Sequence, residues 1–300
     1  MESPLVRTAL PPTVSLDQGE GGLPRLIVAN PLARAEIYLH GAHVTAWQPA
    51  GHQPVLWMSR RSSWSPAKPI RGGVPICFPW FGPHATDTAA PGHGFARLQD
   101  WTLVEARDDE HGATHLAFQL TPPVPAPAGW PHACAATYRV IVGSSLVLAL
   151  EVENTGRAAF SFEEALHTYF AVQDVRAIEI SGLAGTDYID KVGGISNRNQ
   201  GPEPIRFTAE TDRIYLNTQA ACTIDDPGAR RRIVVRKSRS NATVVWNPWV
   251  DKARAMPDFG DDEWPEMVCV ETGNVNVHAV PLAPGARHTM TATIHVHAIA

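Results

Sequence analysis

Prolines and glycines interrupt this chain so often that long helices have little room to form. The 300 residues include 26 prolines and 23 glycines, and both residue types end helices and favour turns. Between them lie short runs rich in β-branched and aromatic residues, which are typical of strands. Two such runs, residues 134–142 and 145–152, meet at Gly143-Ser144 and predict a β-hairpin. The sequence therefore predicts many short strands joined by turns.

We predict an all-β fold, one large antiparallel β-sandwich domain over residues 25–300. Hydrophobic residues make up 44% of the chain, enough for a large core, and no low-complexity linker divides it. Residues 1–24 show no period, so we expect a loosely ordered N-terminal arm. A short helix is predicted at residues 251–259. The other predicted strands are residues 25–30, 35–48 with a turn near His40-Gly41, 55–59, 101–107, 115–121, 160–172, 178–181, 205–208, 223–225, 232–236, 243–246, 267–271 and 288–298.

Charge and hydropathy exclude several classes of partner. The net charge of -5 argues against nucleic acid or an anionic membrane, since both favour a basic surface. No uncharged apolar run reaches the roughly 18 residues of a membrane span, and the first residues lack the pattern of a secretory signal. The cysteines form no Cys-x-x-Cys and are predicted to be buried free thiols: Cys77, Cys134, Cys222 and Cys269. We expect a cytoplasmic protein.

Residues 70–97 have neither the period of a strand nor that of a helix. They read IRGGVPICFPWFG and, after a polar gap, GHGFAR, so glycines and prolines set the backbone of a shaped loop. Arginine suits bidentate contact with carboxylate or phosphate, so Arg71 and Arg97 together suggest an anion of about two charges. The alternative is that each arginine simply pairs with a surface carboxylate.

These motifs resemble the hexose-6-phosphate mutarotases, also called glucose-6-phosphate 1-epimerases, a branch of the aldose 1-epimerase superfamily. The resemblance extends over nearly the whole chain. It includes the 70–97 loop followed by Trp101, EALHTYF at 164–170, ETDRIY at 210–215, VWNPW at 245–249 and VCVETGNV at 268–275. It implies the galactose-mutarotase-like supersandwich fold and the interconversion of the α and β anomers of a hexose 6-phosphate, glucose 6-phosphate being the first choice.

The resemblance makes Glu271 the general base and His167 the general acid toward the ring oxygen. Anomer exchange requires a proton to leave the C1 hydroxyl while another reaches the ring oxygen, and we expect the two groups on opposite sides of the sugar. An imidazole with an ordinary pKa near 6.5 suits this role if the site raises that pKa. A nearby carboxylate or a bound substrate anion would raise it, whereas burial and the arginines would lower it.

The remaining roles that the resemblance implies concern binding. Arg71 and Arg97 match the arginines on the phosphate side, His93 matches a histidine that holds the substrate, and Asp212 matches an acceptor for a sugar hydroxyl. The family often has Gln before this histidine, where the chain has Gly92. No cofactor and no metal are expected, the partner is a small sugar phosphate, and we expect a monomer.

Two further interpretations remain open. His295 and His297, with His84 or His93, are candidate ligands of a metal-dependent sugar-phosphate isomerase. However, the first two alternate with Ile294 and Val296, which favours the polar face of a half-buried strand. The second alternative is a non-catalytic sugar-binding module on the same sandwich, since a fold alone does not fix a function.

Overall fold

The computed structural model describes residues 4–120 and 129–299. These residues form 22 strands, one α-helix and four short 3₁₀ turns. The helix is α1 (Trp249–Ala255), and the 3₁₀ turns are Glu20–Gly22, Ala96–Leu98, Trp264–Glu266 and Asn276–His278. The strands are β1 (Val14–Gln18), β2 (Pro24–Ala29), β3 (Ala33–Tyr38), β4 (His43–Pro49), β5 (Ile76–Cys77), β6 (Thr102–Asp108), β7 (Thr114–Leu120), β8 (Cys134–Val142), β9 (Leu146–Asn154), β10 (Phe160–Phe162), β11 (Glu164–Leu166), β12 (Tyr169–Ala171), β13 (Glu179–Ser181), β14 (Asp187–Asp190), β15 (Ser196–Asn199), β16 (Thr211–Leu216), β17 (Cys222–Asp226), β18 (Arg231–Ser238), β19 (Ala242–Asn247), β20 (Met267–Asn274), β21 (Val280–Leu282) and β22 (Arg287–Ala298).

The strands form three large sheets and one two-stranded sheet, and every pairing between these strands is antiparallel. The first sheet has the order β1-β2-β3-β4, and the second has the order β13-β17-β18-β22-β9-β8-β7-β6. The third has the order β15-β14-β16-β19-β20-β11-β5, with β12 also paired to β20. The predicted all-β antiparallel class is confirmed.

A large hydrophobic core draws on all three sheets. Leu26 comes from the first sheet, Leu148 from the second and Val270 from the third, and each is at most 1% exposed. The central hairpin shows why the sequence folds this way: β8 alternates buried and more exposed residues along its whole length. An alternation of period 2 places one face of a strand in the core.

The predicted boundaries differ from the structure in several places. The sheet begins inside the expected arm, because β1 pairs with β2 in full register and buries Val14. The predicted strand 160–172 is instead three short strands, β10 to β12. Residues 205–208 form only an isolated bridge, and 55–59 form two. The last residue of predicted strand 115–121 lies outside the described residues.

The register of the third sheet places two of the predicted site residues, Asp212 and Glu271, on one face of the sheet. Asp212 on β16 lies opposite Trp246 on β19, and Trp246 lies opposite Cys269 on β20. Glu271 lies two residues beyond Cys269 on the same strand. Paired residues of an antiparallel ladder point to the same face, as do residues i and i+2 of a strand. These four side chains therefore share one face of the sheet.

Within the described residues, no helix has the length and apolar character that a membrane span requires.

Candidate active site

The 70–97 loop closes over this face of the sheet. Gly73 and Gly94 have φ values of 58° and 75°, a conformation that favours glycine. A Cβ atom at either position would collide with a backbone carbonyl, that of Val44 or of Phe78. The loop also contains strand β5, which pairs with β11 at the edge of the sheet, so it is more regular than the sequence predicted.

The loop also fixes the segment that carries His167, which connects β11 to β12. The backbone N–H of His167 donates to the carbonyl of Pro75 at 3.0 Å, and the N–H of Tyr169 donates to the carbonyl of Gly73 at 2.9 Å. The Tyr169 ring stacks on the His167 imidazole with centroids 4.8 Å apart. The hydrogen bond to Pro75 therefore fixes the backbone of His167, and the stacked Tyr169 ring fixes its imidazole.

One cavity of about 280 Å³ contains all six residues predicted for the site. This volume lies just below the range of about 300–1,000 Å³ for pockets that hold drug-sized ligands, so the cavity suits a small ligand such as a single sugar. The predicted residues among those that line the cavity are Arg71, His93, Arg97, His167, Asp212 and Glu271.

His167 and Glu271 lie side by side in this cavity rather than across it. His167 Nε2 and Glu271 Oε1 are 3.3 Å apart, and the two residues are 8% and 1% exposed. The other polar atoms of the pair, His167 Nδ1 and Glu271 Oε2, are buried and have no hydrogen-bond partner among the described residues. The expectation of opposite sides is thus wrong, while the expectation that both groups reach one sugar fits the geometry.

Burial determines where the pair holds its proton. Burial raises the pKa of Glu271 well above its ordinary 4.5, and the charge of Asp212 adds to this effect, while Lys191 opposes it. Burial also lowers the pKa of His167 well below 6.5, and the nearby arginines add to that effect. Desolvation disfavours the charged form of both groups. The protein's own residues therefore favour a protonated Glu271 beside a neutral His167.

His93 is neutral and presents an N–H to the cavity. Its backbone has a φ of 63°, and its ring lies edge-on to Phe81 with centroids 4.7 Å apart. The backbone N–H of Gly82 donates to His93 Nδ1 at 3.3 Å, which leaves the ring proton on Nε2. Burial and the charge of Arg97 lower the pKa of His93 to about 3. His93 can thus donate to a sugar oxygen, but it is a poor proton carrier.

Three of the four cations that line the cavity already have a carboxylate partner. The shortest nitrogen–oxygen distances are 3.1 Å for Arg71–Asp258, 3.2 Å for Lys191–Asp212 and 3.1 Å for Lys252–Glu210. Arg97 instead donates to the carbonyl of Gly92 at 2.7 Å, and its buried Nε has no partner. No ion pair joins it to a carboxylate in the part of the chain that the structure describes.

Several residues of the site were missed by the sequence analysis. Tyr169 carried a usable signal, because it lies two residues after His167 and therefore on the same side of the chain. Its hydroxyl accepts a hydrogen bond from Arg71 at 2.9 Å. Lys191 and Asp258 carried no local signal, since each meets its partner only through the tertiary fold.

The histidines of the metal alternative do not come together with other ligands. Among residues 4–120 and 129–299, the one group of three or more His, Cys, Asp or Glu side chains close enough to share an ion is His167, Cys269 and Glu271. His295 and His297 are ring neighbours on β22, with centroids 6.4 Å apart, as alternation along one strand requires.

Comparison with known proteins identifies the class. Residues 24–295 match the family described as aldose 1-epimerase. The chain is 38% identical over 247 residues to the "Putative glucose-6-phosphate 1-epimerase" of Escherichia coli, covering 82% of each protein. It is 36% identical over 261 residues to a protein of the same name from Cenchrus ciliaris, covering 84% of this chain and 78% of that protein. The solved structure of a "putative mutarotase" from Salmonella typhimurium superposes with a TM-score of 0.90 at 33% identity, covering 98% of this chain and 96% of that one.

The chain therefore belongs to the aldose 1-epimerase family, and it is an isomerase that interconverts sugar anomers. The predicted galactose-mutarotase-like fold is confirmed, and the interpretation as a non-catalytic binding module is wrong.

Proposed function

We propose that this protein interconverts the α and β anomers of a hexose 6-phosphate, with glucose 6-phosphate as the first candidate, and that it needs no cofactor. The observation that carries the proposal is the His167–Glu271 pair, 3.3 Å apart, in one cavity with Arg97. The pair supplies proton transfer, and Arg97 supplies a cation that no carboxylate of the described residues neutralises.

A pair of adjacent groups suits this reaction because its two proton sites are adjacent. The C1 hydroxyl oxygen and the ring oxygen are bonded to the same carbon. Glu271 as carboxylate accepts the hydroxyl proton while His167 as imidazolium protonates the ring oxygen, and the bond from C1 to the ring oxygen breaks. After rotation about the C1–C2 bond, His167 takes back its proton and Glu271 returns the other as the ring closes. Each group thus acts once as acid and once as base.

The protonation that burial favours is the one that accompanies the open-chain sugar. Ring opening converts carboxylate and imidazolium into carboxylic acid and neutral imidazole, so the pair holds one proton before and after the step. The raised pKa of Glu271 and the lowered pKa of His167 both favour the second form. The site is thereby matched to the intermediate rather than to the closed ring. A bound phosphate offsets the arginine charges, so it makes the carboxylate–imidazolium form of the pair, which the closed ring requires, less unfavourable.

The other residues orient the sugar. The His93 Nε2–H donates to a sugar oxygen, and Asp212, which Lys191 holds at 3.2 Å, accepts from a hydroxyl. Arg97 binds the phosphate, and Arg71 contributes from its place beside Asp258. Gly92 adds no side chain, although a Cβ atom there would meet only the carbonyl of Gly82, at 3.8 Å. The monomeric state and the cytoplasmic location stay predictions.

Anomer exchange measured by NMR tests the proposed substrate. Glucose 6-phosphate, galactose 6-phosphate and unphosphorylated glucose are each followed with the enzyme, and with buffer alone to subtract spontaneous exchange. The proposal expects the highest kcat/KM for a hexose 6-phosphate. A preference for an unphosphorylated hexose would contradict the phosphate assignment.

The pH profile should reflect the single proton of the pair. The pH dependence of kcat/KM reports the free enzyme, so kcat/KM should fall in acid only below the ordinary histidine pKa of 6.5, because only there does His167 gain a proton while Glu271 keeps its own. It falls in alkali where the pair loses its last proton. The pKa of this loss lies well above 4.5, because burial raises the pKa of Glu271. The phosphate itself titrates near pH 6, so unphosphorylated glucose serves as the control. An acid limb centred above pH 6.5 with that sugar would contradict the assignment.

Replacing Arg97 should weaken phosphate binding selectively. A hydrogen bond to a charged group contributes roughly 1.5–3 kcal/mol, so Arg97→Gln should raise KM for glucose 6-phosphate by about 10- to 100-fold. The KM for unphosphorylated glucose should change far less. Arg97→Lys keeps the charge and should lie between Gln and the wild type. An equal loss for both sugars would show that Arg97 shapes the loop instead of binding phosphate.

A further inference from the structure

Strand β20 brings a third chemical group to the proton-transfer pair. Cys269 lies two residues before Glu271 on the same face, and the connection from β11 to β12 places His167 beside both. Ligand atoms of the three side chains lie within 4.8 Å of one another. All three residues are buried, Cys269 completely. The proton transfers described above do not use the thiol.

A sulfur, an imidazole nitrogen and a carboxylate oxygen form a ligand set that zinc favours. Zinc sites with three protein ligands keep a fourth position open, with metal–ligand distances of about 2.0–2.3 Å. Tetrahedral geometry at these distances separates nitrogen and oxygen ligands by about 3.4 Å, close to the 3.3 Å between His167 Nε2 and Glu271 Oε1. Magnesium and calcium favour sets made of oxygen ligands, so a thiol and an imidazole discriminate against them.

One unpartnered atom points independently to a ligand here. Glu271 Oε2 is buried without a hydrogen-bond partner, although buried polar atoms normally have one. The same carboxylate carries the oxygen that contacts His167. A cation would satisfy the carboxylate and would also ionise the thiol, because a coordinating thiol is deprotonated outright.

We propose that Cys269, His167 and Glu271 form a binding site for a thiophilic divalent cation, Zn²⁺, and that its occupancy blocks anomer exchange. The ion takes the imidazole nitrogen and the carboxylate oxygen that the proposed proton transfers need. It is therefore an inhibitor rather than a cofactor. The binding stands on the geometry alone, whereas the inhibition rests on the proposed function. Asp212 favours the ion, and the charges of Arg71 and Arg97 limit its affinity.

Cobalt is the probe of binding, because Co²⁺ occupies zinc sites and a thiolate ligand gives it a charge-transfer absorption band. Wild-type protein, Cys269→Ala and Cys77→Ala are titrated with Co²⁺, followed by Zn²⁺ to displace it. Cys77 is the matched control: it is a buried thiol of the same sheet, whose Sγ lies 3.4 Å from His93 Nδ1. We expect the band in wild type and Cys77→Ala, and its loss in Cys269→Ala. No band in wild type, or a band that survives in Cys269→Ala, would overturn the site.

Inhibition is measured separately in the NMR exchange assay. Saturating Zn²⁺ should slow wild-type exchange by at least about 100-fold, the loss expected when one acid or base group is removed, and a chelator should restore it. Mg²⁺ should have no effect. Cys269→Ala should keep its exchange activity and be far less sensitive to zinc. A cobalt band without zinc inhibition would leave the site intact and contradict the assigned proton-transfer pair, so the two claims fail in distinguishable ways.

Discussion

A Glu271→Gln variant should lose about 10²- to 10⁴-fold in kcat for anomer exchange, the usual contribution of a general base. The amide has the same shape, but it can neither accept the C1 hydroxyl proton nor return it during ring closure. Because the carboxyl oxygen lies only 3.3 Å from His167, the amide should also remove the negative charge that favours the imidazolium form of His167. Binding of the sugar phosphate, measured by calorimetry, should change little, so the loss should be in kcat.

Glu210→Gln is the matched control for this variant. Glu210 pairs with Lys252, which lines the same cavity, but it does not contact His167. Glu210→Gln should change kcat only a few-fold, whereas equal effects of the two variants would indicate a general electrostatic role for acidic residues.

Stability provides a check on the folding of Glu271→Gln. The folded-state pKa of Glu271 is raised, so its contribution to the free energy of unfolding is fully present below pH 4.5 and is lost as pH rises. Glu271→Gln should therefore gain stability over wild type above that pH.

His167→Gln should produce a loss of similar size, again about 10²- to 10⁴-fold in kcat. Glutamine can donate a hydrogen bond to the ring oxygen, but it cannot protonate it. The double variant with Glu271→Gln should be scarcely slower than either single variant, because in the proposed mechanism both groups transfer their protons in the same step and act as a unit. Independent, multiplicative losses would contradict this coupled mechanism.

His278→Gln is a suitable control for the histidine variant. His278 accepts a hydrogen bond from the backbone N–H of Asn217 at 3.1 Å and does not line the cavity. Kinetics close to wild type are expected. Far-ultraviolet circular dichroism should show that both histidine variants keep their β structure, so that a fall in kcat reports chemistry.

The sequence predicted those features that depend on local pattern. The alternation in β8 and β9 and the glycine between them were enough to predict the central hairpin. Strand β15 was missed because its four residues, Ser196–Asn199, are polar and mostly exposed. It lies at the edge of the third sheet, and its pairing with β14 depends on a neighbour rather than on its own composition.

The site residues were predictable through motifs, whereas their electrostatics were not. The resemblance placed Arg71 on the phosphate side, but not its pairing with Asp258, which lies 187 positions further along the chain. Likewise, the spacing of His167 and Glu271 does not predict their contact. That contact follows from the antiparallel pairing of β11 and β12 with β20. The direction of each pKa depends on burial, which only the tertiary structure provides.

The position of β20 inside the third sheet has a mechanical consequence. This strand is hydrogen-bonded to β19 on one side and to β11 and β12 on the other, so the backbone that carries the Glu271 carboxylate is held rigidly. In the proposed reaction, the motion that exchanges the two faces of the aldehyde therefore belongs to the substrate: its C1 end rotates while the proposed contact with Arg97 holds its phosphate. The protein thus stays fixed while the bound sugar rotates about its C1–C2 bond.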